Sequence, residues 1–171
     1  MEALIEKHFP TLPSNVRLIP AKEDISPLEF FELIDGGVTV YGTPGLELAL
    51  SGKPVILAGE AHYGGKGFTE DALDIESYRK LLARAGCLGR LSPEQTALAR
   101  RYAYSLFIQR QVPLPVVHDP RSLWWHLQHE KRDTLLPGAD PFVDFICERL
   151  IDGEDFIMGK KLAELAESNT W

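Results

Sequence analysis

The sequence predicts an α/β fold: a Rossmann-like partial domain with a short parallel sheet, followed by a helical C-terminal region. Three observations predict it. Short apolar runs rich in β-branched residues alternate with capped helical segments through residues 1–70, the order that parallel sheets require. From Val38 to Val55, VTVYGTPGLELALSGKPV, the chain reads as strand, glycine turn, short helix, glycine stop and second strand. Beyond Thr69 the strand signals give way to capping boxes and apolar residues at helical spacing.

Taken in order, Glu2 to Phe9 suits a short helix, broken by Pro10, Pro13 and Asn15 before Val16-Arg17-Leu18-Ile19, an expected strand closed by Pro20. Ser26-Pro27-Leu28-Glu29 forms a capping box opening a helix through Leu33, which stops near Gly36-Gly37. Val38 to Tyr41, Pro44 to Leu50 and Val55 to Leu57 then give strand, helix and strand. Ile75 to Ala85 is a helix ending near Gly86. Ser92-Pro93-Glu94-Gln95 caps another, with Leu98, Ala99, Tyr102, Ala103, Leu106 and Phe107 along one stripe. Gln111 to Pro120 is proline-rich and extended, and Leu123 to Lys131 and Pro141 to Ile151 are amphipathic helices separated by Pro137-Gly138.

A chain of 171 residues supports one domain with a core, here a βα core over 1–70 and a mainly helical packing region over 71–171. The net charge of −7 argues against broad binding to nucleic acid, which needs a basic surface. No apolar run approaches a transmembrane segment and the N-terminus carries no signal-peptide pattern, so a cytoplasmic protein is expected. Cys87 and Cys147 have no metal-ligand spacing and read as reduced, buried thiols; neither metal nor cofactor is expected.

The candidate site is the turn at Gly42. Glycine permits a sharp bend, the Thr43 hydroxyl can cap the helix, Pro44 suits its first position, and Gly45 admits close approach. The amides of Gly45 and Leu46, free at a helix start, then offer an anion site, and Glu47 is placed in the first turn. The same residues equally serve a tight strand-to-helix connection, and the helix dipole alone favours an acid there. Gly52, Lys53 and Pro54 read as structural, with Lys53 pointing to solvent. Past the second strand, His62-Tyr63-Gly64-Gly65-Lys66-Gly67-Phe68-Thr69 lies at the strands' carboxyl edge, where open α/β sheets bind ligands. His62, Tyr63 and Lys66 are secondary binding candidates. The alternative is an ordered surface loop that Tyr63 and Phe68 anchor in the core.

Gly42-x-x-Gly45-x-Glu47-x-Ala49-x-x-Gly52-Lys53-Pro54-Val55, followed closely by Gly59-Glu60-Ala61-His62-Tyr63-Gly64-Gly65-Lys66-Gly67-Phe68-Thr69, resembles the capsule polysaccharide biosynthesis and export family. Members of that family resemble GT-B glycosyltransferases using a sugar activated by cytidine monophosphate, typically Kdo. The resemblance implies the C-terminal, donor-binding half of such an enzyme, without the N-terminal acceptor half. It implies a nucleotide-activated sugar as ligand and Glu47 accepting hydrogen bonds from ribose hydroxyls, and a cytoplasmic chain, peripheral at the inner membrane, is the expectation. Gly42, Thr43, Gly45, Leu46, Glu47, His62, Tyr63 and Lys66 are then the substrate-binding candidates.

No catalytic base is identified. His118, His126 and His129, with Asp119 and Glu130, surround Trp124-Trp125 without zinc-type spacing, and at most one of those tryptophans could stack on a sugar. Two other readings remain open: a non-catalytic interaction module working with capsule assembly proteins, and another nucleotide-sugar enzyme such as an epimerase.

Overall fold

A computed structural model describes residues 2–20, 26–114, 117–118, 126–127 and 129–168. The chain is mixed α/β and divides into two compact units, Met1–Asp35 and Gly36–Trp171.

The first unit contains helices α1 (Glu2–His8) and α2 (Pro27–Leu33). Helix α2 starts with the expected capping box: Glu29 N–H donates to Ser26 Oγ at 3.2 Å, and Ser26 N–H donates back to Glu29 Oε2 at 3.1 Å. The expected strand at Val16–Ile19 is not one. Val16 N–H instead closes a turn onto the Pro13 carbonyl, and among the described residues no strand pairs with this stretch. A β-branched run needs a neighbouring strand to complete its ladder, and here prolines bound it on both sides.

The second unit is built on a parallel sheet of β1 (Gly37–Thr39), β2 (Val55–Leu57) and β3 (Glu70–Asp71), in that spatial order. Gly37 pairs with Val55, Thr39 with Leu57, and Leu57 in turn with Asp71. The central strand β2 is wholly buried, which is why Val55-Ile56-Leu57 is an unbroken apolar run rather than an alternating one. Strand β3 was not expected, because an acidic Glu-Asp pair carries no strand propensity; it is held by pairing with β2. Helix α3 (Thr43–Leu50) connects β1 to β2 and packs on both. It ends at Gly52, whose φ of +72° is the left-handed conformation suited to glycine.

The remainder is mainly helical: α4 (Ile75–Ala83), α5 (Pro93–Tyr104), α6 (Pro141–Asp152) and α7 (Lys160–Ser168). Ser92 and Gln95 close a reciprocal capping box on α5. Helix α5 packs on α3, and its buried Ala99 and Ala103 permit close approach. It then passes into a π turn, Ser105–Gln109, in which Arg110 N–H reaches the Ser105 carbonyl at 3.0 Å. That turn packs on α7. A second core of Phe142, Met158 and Ala163 gathers there with Ile108, Phe145 and Leu162, and Met158 N–H donates to the Gln109 carbonyl at 2.9 Å.

Further corrections concern the middle of the chain. Val117–His118 and His126–Leu127 form a short antiparallel pair, β4 and β5, and a 3-10 helix follows at His129–Leu135. The expected helix from Leu123 to Lys131 is therefore replaced at His126–Leu127 by strand, and its residues 123–125 and 128 lie outside the described residues. The thiols of Cys87 and Cys147 are free but exposed, not buried. Lys53, expected in solvent, is buried, with 6% of its surface exposed. Among the described residues no helix is long and apolar enough to cross a membrane.

The Ser92 cap should be worth about 1 kcal/mol, so Ser92→Ala is expected to lower the unfolding free energy by that amount, read as a lower urea midpoint with an unchanged denaturant slope. An unchanged midpoint would show that the capping box contributes nothing.

Candidate functional site

The turns after β1 and β2 emerge side by side at the carboxyl edge of the sheet, so both expected motifs occupy one region. Gly42, not Thr43, is the N-cap of α3. Its φ of 132° and ψ of 163° lie outside the range open to other residues, and no side chain caps the helix. The Thr43 hydroxyl therefore does not play the capping role expected of it. With the helix beginning at Thr43, the Leu46 amide falls in register to bond the Gly42 carbonyl and is not free. Pro44 has no N–H, so the donors left at this helix start are the amides of Thr43 and Gly45.

Gly45 does admit a close approach, but the approaching group belongs to the protein. A methyl group there would overlap the Tyr63 phenol and lie 2.8 Å from Thr39 Cγ2. Tyr63 is fully buried and donates its hydroxyl to the Gly42 carbonyl at 2.6 Å. Burial, with the carboxylate of Asp71 nearby, pushes the phenol above its usual pKa. Tyr63 thus ties one turn to the other, as the anchoring alternative anticipated, and is not positioned as a surface contact residue.

The glycine loop is pinned at several points. Asp71 accepts from the Gly65 amide at 2.5 Å through one oxygen and from the Thr69 hydroxyl at 2.6 Å through the other. Gln95 Nε2 donates to the Gly67 carbonyl at 3.1 Å. His62 is exposed and stacks on Tyr102, with ring centroids 5.9 Å apart and planes 19° apart. Tyr102 donates its hydroxyl to the His62 carbonyl at 2.9 Å while lying 2.8 Å from His62 Nδ1. A phenol has one proton to give, so Nδ1 is assigned as the donor in that second contact, leaving Nε2 as the imidazole's open nitrogen. Lys66 stands exposed at the loop's apex, between Gly65 and Gly67, both with positive φ.

Glu47 lies in the second turn of α3, not the first, and is half-buried. Its distance from the helix start removes most of the dipole explanation for an acid there. Asp71, Gln95 and Tyr102 were not anticipated as part of this region. The sequence places Tyr102 only on an apolar stripe and Gln95 only in the α5 capping box, and Asp71 carries no motif. Of the residues around the paired tryptophans, Asp119, Trp124 and Trp125 lie outside the described residues, and His118 and His126 pair across β4 and β5. Among the described residues no cluster of His, Cys, Asp or Glu side chains could hold a metal ion. No family model, curated protein or solved structure matches the chain.

Replacing Tyr63 by Phe is expected to cost about 1 kcal/mol by removing the Gly42 bond, and Gly45→Ala about 1–3 kcal/mol by overpacking. The raised phenol pKa favours the neutral form in the folded state. Its stabilisation is thus complete below about pH 10, the unfolded value, and is lost as pH rises through the folded value. Chemical denaturation from neutral to alkaline pH should show a steeper loss for the parent than for Tyr63→Phe; parallel curves would contradict this.

Proposed function

We propose that Gly36–Trp171 binds a nucleotide-activated sugar, as the donor-binding half of a glycosyltransferase in capsule or surface polysaccharide synthesis. The observation that carries this reading is the juxtaposition of two turns at the carboxyl edge of a parallel sheet, one holding a helix start and the other a pinned glycine loop. In this reading the amides of Thr43 and Gly45 receive a phosphate oxygen, aided by the exposed ammonium of Lys66. Glu47, half-buried and without an ion-pair partner among the described residues, accepts from ribose hydroxyls. Cytidine monophosphate linked to Kdo is the donor that the sequence resemblance favours. The Nε2 of His62, left open by the Tyr102 contact, is a further polar contact to the sugar in this reading.

Transfer itself requires an acceptor held against the donor in a water-poor cleft, and the acceptor half is proposed to come from a separate polypeptide segment. This chain alone is proposed to bind the donor and not to turn it over.

The interaction-module reading has its own support. Val38, Val40 and Tyr41, on and just after edge strand β1, are exposed, Tyr41 by 74%. A row of apolar side chains along an edge marks a surface suited to a partner.

Titration with cytidine monophosphate should give weak, saturable amide shifts at Thr43 and Gly45, with affinity reduced about tenfold in Glu47→Ala. Absence of any shift at millimolar nucleotide would remove the donor-binding reading. Light scattering across a dilution series bears on the rival: nucleotide binding by a stable monomer would disfavour it, and self-association abolished by Tyr41→Ser would favour it.

A further inference from the structure

A pocket lies at the other end of α3. Its volume is 510 Å³, and its lining includes Ser51 and Gly52 from the helix exit, Arg90 from the approach to α5, and Thr96, Ala97 and Arg100 from α5 itself. Thr96 and Arg100 are four residues apart on one helix, so they share a face, and both face the cavity. The close approach is documented on both sides: the Leu91 amide donates to the Gly52 carbonyl at 2.9 Å, and Thr96 Oγ1 stands 3.4 Å from where a Gly52 methyl would be.

The pocket gathers two arginines in a chain whose net charge is −7. Among the described residues neither Arg90 nor Arg100 makes an ion pair, whereas Arg79 is paired with Glu76 and Arg84 with Glu70. Glu70, which lines a small adjoining cavity together with Arg90, is held by Arg84 at 2.7 Å, so that carboxylate is engaged elsewhere. The carbonyls of Glu47, Leu48 and Ala49 at the exit of α3 already accept from Ser51, Lys53 and Gly52, so they are hydrogen-bonded within the protein.

We infer that this pocket binds a phosphoryl group, with the guanidinium groups of Arg90 and Arg100 as its two cationic walls and the Thr96 hydroxyl as a third donor. Planar guanidinium groups match phosphate oxygens in bidentate geometry, and two of them in one concavity favour a dianion over chloride. The site is separate from the nucleotide reading: an eight-residue helix holds the two about 12 Å apart.

The test is an amide-resolved NMR titration with inorganic phosphate at constant ionic strength. Saturable shifts centred on Leu91, Thr96 and Ala97 are expected, with affinity falling about tenfold in each of Arg90→Gln and Arg100→Gln while the rest of the spectrum is unchanged. Shifts centred on Thr43 and Gly45 instead, or a linear non-saturating response, would overturn the inference without any variant. Retention of full affinity in the folded double variant would overturn it as well. Loss of cytidine monophosphate binding at the Gly42 turn would leave these expectations untouched, so the two readings fail separately.

Discussion

The hydrogen bond from the buried Tyr63 phenol to the Gly42 carbonyl is the constraint on which the upper edge of the sheet depends. The Gly42 N-cap has no side-chain partner. Tyr63 bonds the turn from outside its own element and fills the space that Gly45 leaves open. The same ring stacks against Phe68, which contacts Tyr102, so the aromatic set joins the turn after β1, the loop after β2 and helix α5 into one packed assembly. Asp71 and Gln95 then fix the glycine loop from β3 and α5. What remains exposed, Lys66 and one face of His62, is presented from a braced support.

Much of this architecture is legible in the residues. Capping boxes at Ser26 and Ser92, the glycine exit at Gly52 and the apolar run Val55–Leu57 are local signals, and the structure contains all four features. The elements misread are those decided by distant partners. Val16–Ile19 has strand-like composition but no pairing strand among the described residues, whereas Glu70–Asp71 lacks that composition and is recruited by β2. At the candidate site the local contacts depend on partners distant in sequence. Gly45 signalled a close approach without revealing that Tyr63 makes it, and Tyr102 on a helical stripe gave no hint of its bonds to His62. Such pairings, 18 and 40 residues apart, follow only from the fold. The burial of Lys53 belongs to the same class.

Helix α3 meets hydrogen-bond donors at both of its ends. Its start offers two amides, and the pocket at its exit is lined by two arginines. An acidic chain therefore gathers donors at two places along a single connection, where local geometry matters more than overall charge.

The π turn at Ser105–Gln109 has a consequence for how the chain can change. Upstream, α5 turns Ala99 and Ala103 toward α3; downstream, Ile108 meets the second core and Gln109 bonds Met158. One additional residue in the turn shifts the angular phase of the helix by about 100°, which lets a single rod serve two cores whose directions do not coincide. The length of this stretch is accordingly a structural variable in its own right. Side chains within it can be exchanged one at a time, but removing a single residue would put the two halves of the rod out of phase and detach one core from the other.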